Sequence, residues 1–583
     1  MKYLIIFFLI IVQDFYSQTL PQNRGVDWSI AGLRDTSTTN FQIIDMNTLG
    51  VVGNGITPND SVINYAVNSV SSSGAILMFS NGNYLFNNPI NLKDSIILKG
   101  LGSDSTTFTF DLGGVGHSIK INGNSTSDTS NFVVSGLKDS NYIEVNNTLL
   151  FSSGDWIRIV QKDSDLVTSS WAVGTVGQIV EIVSISNNRI NLNSPLRRDY
   201  SLSSMPYIKK IKPIKNVGIE CIKIHRLDST SPQQSSNIYF NYTVNSWVVG
   251  VESENCSYSH VDARNSSNLY INKSYFHHAF GYGGGGRAYG VMLHSTTNEC
   301  LVEDNIFEHL RHSMIVQSGA NGNVFSYNYS LDPYWNSTPN NSAGDMVLHG
   351  NFPYSNLFEQ NVCRNIVIDN SHGPNGGYNT FFRNRAEGFG IFFSANNSPN
   401  QNFIGNDIPN TSFPYSLVNY TISGSGHFLY GNNNKGVIDP SGTNNLPDLS
   451  YAYLQKPNYI FSNQWAGIGT PNSMGVNDIP AMDRFNSSII PNASCEEIIS
   501  SIEETELSEI EIYPNPISDK VNIRSKKTIT SVVVYNMLGK VVYSYDFDES
   551  FITIDFSNYI EGIYVLYVFS ENQKAVTHKL IKN

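Results

Sequence analysis

The chain has 583 residues, 45 of them glycine, with 12% aromatic and only 15% charged side chains. That length accommodates about two or three domains, and the composition suits short strands joined by polar turns rather than long amphipathic helices. A formal charge of −13 argues against a nucleic-acid partner, and no apolar run is long enough to span a bilayer comfortably.

Lys2 precedes the apolar run Leu4–Val12, and a cleavage point falls between Ser17 and Gln18. Residues 1–17 therefore read as a secretory signal. No cysteine stands at that point to accept lipid, so the expectation is an exported, unanchored protein, taken as a monomer. The five cysteines (Cys221, Cys256, Cys300, Cys363, Cys495) are odd in number and form no CxxC. They are expected as small buried hydrophobes, not as a disulfide framework.

Residues 24–486 form the main domain. Near its start, Val62, Ile63, Ala66, Val67 and Val70 fall at helical spacing between glycine-rich turns, and Ala75–Phe79 and Ile96–Lys99 follow as strands. This opening resembles the pectate-lyase-like superfamily of right-handed parallel β-helices, in which a strand, a short capping helix and a Gly-x-Tyr turn lead into the first coils. The acidic GDGxTDD phrase of that family is replaced by Gly53-Asn54-Gly55-Ile56-Thr57-Pro58-Asn59-Asp60. The resemblance thus implies a cap over one end of the solenoid, without a paired-aspartate role.

Between 131 and 215 the pattern changes. Trp156–Val160, Gln178–Ile185 and Arg189–Leu192 read as paired strands around an Asn-Asn turn, a small β insertion in the solenoid. Beyond it an apolar residue is followed three positions later by asparagine, again and again: Val302/Asn305, Phe325/Asn328, Phe358/Asn361, Phe381/Asn384, Phe403/Asn406 and Leu429/Asn432. Successive asparagines lie 23, 33, 23, 22 and 26 residues apart. A repeat of about this length predicts stacked coils that bury their apolar faces only against one another. The phenylalanines and asparagines are expected to form structural ladders, with no chemistry assigned to either.

Residues 447–486, rich in Pro and Asn, are expected to close the C-terminal end, and 487–508 to be a linker. The last segment holds Glu511-Ile512-Tyr513-Pro514-Asn515-Pro516, then Val532–Leu538, Gly539-Lys540-Val541-Val542, Gly562-Ile563-Tyr564-Val565 and a basic end at Lys579–Lys582. In that order these motifs resemble the C-terminal sorting domains of the type IX secretion system. The resemblance covers 509–583 and implies passage across an outer membrane, to the medium or the cell surface. The whole chain is therefore expected to be all-β: a right-handed parallel β-helix with a small β insertion and a C-terminal β-sandwich sorting domain.

Function is sought where the repeat departs from bland structural residues. Aligning one strand of each coil places His294, Gln317 and His349 in a single outward column, since side chains alternate and neighbouring coils lie about 4.8 Å apart. His349-Gly350 and His372-Gly373 each precede a repeat asparagine (Asn356, Asn379) by seven residues, which brings His372 near the column. Imidazoles titrate near neutrality and suit acid or base work. His349, His372 and His294 are therefore the candidate catalytic residues, with Arg311 or Arg287 as the group that neutralises a substrate carboxylate. Substrate contacts are expected from Gln317, Arg287, His278, His312, Tyr282, Trp335, Asp345 and Arg383; the aromatic ones suit stacking on sugar rings. These side chains would face an anionic polysaccharide.

The superfamily resemblance implies three chemistries. The NTDG phrase of polygalacturonase-type hydrolases is absent, and Ser371-His372-Gly373 echoes their GHG motif only faintly. Calcium-dependent lyases cluster aspartates; Asp345, Asp369, Glu303 and Asp304 could contribute to such a site, but their spacing fits no specific pattern and no metal ligand is assigned. A lyase using a His base and an Arg neutraliser fits the residues best. A hydrolase using Asp345, Asp369 or Glu308 as a carboxylate pair and a non-catalytic glycan-binding adhesin are the alternatives.

Overall fold

The computed structural model describes residues 19–34, 41–71, 73–229, 234–417, 420–460, 465–469, 479–487, 490–495, 510–536, 541–560, 562–570 and 576–582. The expected signal segment, most of the expected linker (496–508) and Gly539-Lys540 lie outside the described residues. The chain divides into two compact units, 1–496 and 497–583.

The first unit is a right-handed parallel β-helix with three strands to a coil. One ladder, a 13-stranded sheet, includes Leu301–Glu303, Val324–Ser326, Leu357–Glu359, Thr380–Phe382 and Asn402–Ile404. A second runs through Tyr275–Ala279, Ile306–Glu308 and Tyr329–Leu331. The third runs through Ser259–Arg264, Tyr289–His294, His312–Val316 and Met346–His349. Val362–Asp369 is long enough to pair in both the second and third ladders, which merges them into a 20-stranded sheet.

The repeat explains the stacking. Phe325, Phe358, Phe381 and Phe403 are fully buried, with ring centroids 4.9, 5.0 and 5.0 Å apart and planes within 8° of parallel. Backbone pairing fixes the distance between coils at about the thickness of two stacked rings. Asn305 Nδ2 donates to Asn328 Oδ1 at 3.0 Å, and the same bond recurs from Asn328 to Asn361, Asn384, Asn406 and Asn432. Each amide also donates to a strand carbonyl of the preceding coil, as Asn328 Nδ2 does to Val302 O at 2.9 Å. A second ladder joins Asn323, Asn356 and Asn379. These side chains are buried at no polar cost because every donor has an acceptor one coil away.

The helix Asp60–Ser69 buries Ile63, Ala66 and Val67 against the first coils. The insertion is a six-stranded antiparallel sheet with a core of its own, beginning at Asn124–Asn131 and ending at Tyr207–Lys212. It is anchored to the coil turns: Arg197 pairs with buried Glu299 and donates to Asn321, and the Thr168 and Ser169 amides donate to Asn351 Oδ1 at 3.0 and 3.2 Å.

The expected C-terminal plug is corrected by the course of the chain. The described residues between 446 and 495 do not close the end of the solenoid. They turn back and descend along its side, against the direction of coil stacking. Leu446, Asp448 and Ile468 carbonyls accept from Arg383, Ser450 and Tyr451 from the strap bind Glu359, and Tyr459 binds Glu303 at 2.7 Å. Farther down, Arg484 pairs with Asp304 at 2.7 Å and the Ser494 amide donates to Lys273 O. A second strap, residues 19–34, runs the same way: Arg24 binds Asn402, Trp28 Nε1 donates to Ser355 O, and Arg34 pairs with Glu299.

The second unit contains antiparallel strands at Ile510–Tyr513, Lys520–Asn536, Val541–Asp555, Gly562–Ser570 and Val576–Lys582. Val521, Ile523, Val532, Val534, Ile554, Leu566 and Leu580 form its separate core.

Candidate active site

The third ladder stacks Arg264 on His294 and His349 on Asp369, with Gln317 between, because the flanking pairs Leu293/Val316 and Val316/Leu348 are in register. The column is thus Arg264, His294, Gln317, His349, Asp369. It faces outward from the solenoid as expected, but it is not a solvated surface: His294, Gln317 and His349 are each under 5% exposed. The insertion and the loop at Gly283–Gly286 wall it into a cavity of about 520 Å³. Trp171, Tyr258, Tyr289, Arg311 and His372 line it beside the column. Gly286 permits the wall: at φ 78°, an added Cβ there would stand 2.5 Å from Gln234 and 2.7 Å from Tyr258.

His349 is the centre of this cavity. Its Nδ1 lies 2.6 Å from Asp369 Oδ2, an ion-pair distance at which the ring N–H is not aligned for a regular hydrogen bond. Burial would raise the Asp369 carboxyl, but the adjacent His349 and the Ser371 hydroxyl and amide hold it well below the usual carboxylate range. His372 meets the His349 ring edge-on at 5.1 Å, and Trp171 meets His372 at 5.6 Å. Burial and the neighbouring His349 push the His372 pKa down.

On the other side, His312 lies 5.5 Å from His349 and 5.2 Å from Tyr289, centroid to centroid. Its Nδ1 donates to Gly344 O at 2.9 Å, while its buried Nε2 has no partner. Burial, then Arg311 and His349, depress its pKa strongly, so it stays neutral. Burial raises the Tyr289 phenol pKa, partly offset by Arg311, whose guanidinium sits 5.7 Å above its ring. Arg311 Nη1 donates to Gly283 O at 3.1 Å, and its buried Nε is unpartnered.

A second imidazole–carboxylate pair occupies the lower end. His294 Nε2 shares a 2.7 Å hydrogen bond with Asp262, which Arg264 also binds at 2.9 Å. Burial opposes ionisation of Asp262, yet Arg264 and His294 together hold its pKa low.

Of the residues expected from sequence, the cavity gathers His294, Gln317, His349, His372 and Arg311, with His312 packed directly behind. Others stand elsewhere. His278 and Tyr282 stack with His309 and Tyr334 on the second ladder's side, Trp335 donates to Pro339 O in its own loop, and Arg287 lies outside the lining. Two expectations are corrected. Asp345 is buried, accepts from Ser330 and the Arg364 and Asn365 amides, and is pushed up to about 6 by burial; it fastens a turn. Arg383 is 3% exposed and gives its guanidinium to three strap carbonyls, so it is a clamp and not a groove residue.

The carboxylates considered for calcium do not converge. Glu303 is held by tyrosines, Asp304 by Arg484, Asp345 by Ser330 and Asp369 by His349, and no group of three such ligands occurs among the described residues. Glu308, the third carboxylate considered for a hydrolase pair, is bound by the Tyr275 hydroxyl on the second ladder.

Among the lining residues not expected from sequence are Arg264, Tyr289, Tyr258 and Trp171. Extending the strand alignment one coil earlier, Ser259–Arg264 against Tyr289–His294, finds Arg264. Tyr289 opens a strand of that same alignment. For Trp171 the sequence carries no signal, because it enters from the insertion.

Residues 511–583 match the secretion system C-terminal sorting domain, and the protein is accordingly exported, to the cell surface or the medium. Among curated proteins, an ulvan lyase of Nonlabens ulvanivorans is 26% identical over 176 residues. That match covers 28% of this chain and 33% of the relative, so the chain spans about a third of the relative's length. Among solved structures, the tailspike gp49 of Pseudomonas phage LKA1 matches with a TM-score of 0.49 and 15% identity, over 63% of this chain and 64% of that one. The A-module of a mannuronan C-5 epimerase of Azotobacter vinelandii matches at 0.30 and 13%, over 66% and 98%. The fold assignment rests on the strand pairing of this chain itself.

Proposed function

We propose that this protein is a polysaccharide lyase that cleaves an anionic, uronate-containing polymer by β-elimination. The observation that carries the reading is the walled cavity centred on the His349–Asp369 pair, with Arg311 and Tyr289 beside it. His349 takes the proton next to the uronate carboxylate. The ionised Asp369 steadies the imidazolium that forms. The orphan Nε–H of Arg311 offers the carboxylate a charge-assisted partner, lowering the cost of the carbanion-like transition state. The electrons of the broken C–H bond form the ring double bond as the glycosidic bond breaks. Tyr289, kept protonated by its raised pKa, supplies the proton to the departing oxygen. A carboxylate pair for hydrolysis is not assembled here: Asp262 and Asp369, the carboxylates at the column, are each bound to one of its histidines. The partial similarity to an ulvan lyase agrees with this class of substrate.

The test is incubation of the full chain with ulvan, alginate and polygalacturonate, following ultraviolet absorbance of unsaturated uronates alongside reducing ends. Absorbance is expected with one of them, and His349→Ala should lower the rate about 10²–10⁴-fold. New reducing ends without absorbance would overturn the lyase reading, as would undiminished turnover by His349→Ala.

A further inference from the structure

The C-terminal strap brings together two cysteines that the sequence keeps far apart. Cys256, Cys300 and Cys363 are fully buried. Cys221 and Cys495 lie 274 positions apart in sequence, yet the descending strap carries one to the other. Cys221 directly follows Glu220, which pairs with Val249 in the next coil, so Gly250 stacks on Cys221. The strap ends its described course against this step: Ser494 N donates to Lys273 O at 2.9 Å, and Cys495 Sγ lies 3.6 Å from Gly250 O. A side chain at Gly250 (φ 61°) would place its Cβ 3.1 Å from that sulfur and 2.6 Å from Ser494 O, so the absent side chain is what lets the strap approach. The two thiols are themselves in hydrogen-bonding contact, and the Ser103 backbone also bonds to Cys495.

We infer that Cys221 and Cys495 form a disulfide in the exported protein, locking the C-terminal strap to an early coil of the β-helix. The protein is exported, and disulfides form and persist in such compartments. Cys495 is partly exposed, and its hydrogen bonds from Cys221 and the Ser103 backbone favour its thiolate, while the same contact and burial disfavour that of Cys221. Cys495 is therefore the attacking thiol. It displaces one sulfur of an external disulfide, and Cys221 then displaces the other from the mixed disulfide. The protein loses two protons and two electrons; the external disulfide is reduced to two thiols. The consequence is mechanical: the strap's buried attachments at Glu359, Glu303 and Asp304 become part of a closed loop.

The full chain is equilibrated natively with oxidised and reduced glutathione, then alkylated under denaturing, non-reducing conditions and digested. The expected result is one linked peptide pair, Cys221 with Cys495, with Cys256, Cys300 and Cys363 alkylated as thiols. Reduction should lower the Tm of this protein and leave that of Cys495→Ser unchanged. Recovery of both Cys221 and Cys495 as alkylated thiols overturns the proposal. So does glutathione retained on Cys495, or a dimer joined through it, since either means that Cys221 cannot resolve the mixed disulfide.

Discussion

At the residue scale, the proposed chemistry depends on Asp369 as much as on His349. Asp369→Asn keeps the shape and removes the charge that stabilises an imidazolium, so kcat should fall about 10²-fold or more with little change in KM. A matching rise in KM with kcat retained would mean that Asp369 only shapes the cavity. Arg311→Lys keeps the charge but loses the planar fork beside the Tyr289 ring, and should lower kcat/KM while the fold survives, measured by the same absorbance. The histidine column is legible in the sequence because strand alternation and coil period are rigid rules. They place a side chain on a face and in a row. Burial is not legible, since the walls come from residues far away in sequence; hence Asp345 and Arg383, polar residues near the right coils, look like substrate contacts until the structure encloses them.

At the scale of elements, the insertion and the straps do what the repeat cannot. The insertion brings Trp171, 53% exposed, to the cavity rim beside His372. A sugar ring could stack there at no cost in new folding, and Trp171→Ala should raise KM about tenfold or less, within the ~0.5–1.5 kcal/mol of an aromatic contact, with kcat kept. Unchanged KM would remove it from the substrate path. The C-terminal strap covers Glu359, whose carboxyl burial pushes from 4.5 up to about 7. Between those values the folded chain holds a proton that the unfolded chain releases. Stability from this group is therefore full below about pH 4.5 and is lost as pH rises toward 7, on the order of 3 kcal/mol in all. Glu359→Gln should flatten the fall in Tm between pH 5 and 8. Buried Glu303 and Asp304, both raised as well, will leave some slope. Parallel profiles for variant and parent would refute this account of the strap.

At the scale of the whole molecule, the ladders are legible and the straps are not. Phe358 and Asn361 declare their partners by period alone, one coil up and one coil down. Residues 19–34 and 446–495 have no period, and their contacts with the coils are set by shape and by single buried polar groups, so nothing in their sequence says which side of the solenoid they cover. Their role follows from what lies beneath them. Val324, Leu357, Phe382 and Ile404 point outward from the first ladder, and all four are fully buried, because Leu20 and Trp28 of the N-terminal strap and Leu446 and Ala452 of the C-terminal strap cover them. Removing residues 18–34 would uncover a contiguous apolar stripe of the sort that drives association. The second unit, by contrast, has its own core, and none of its described residues lines the cavity. The two truncations should therefore behave oppositely. A chain ending at Glu496 should keep its turnover and its solenoid Tm, whereas one lacking 18–34 should bind a hydrophobic dye, melt earlier and aggregate. If the shortened N-terminus instead melts like the parent, the strap is dispensable clothing and the first ladder must stand in water unaided.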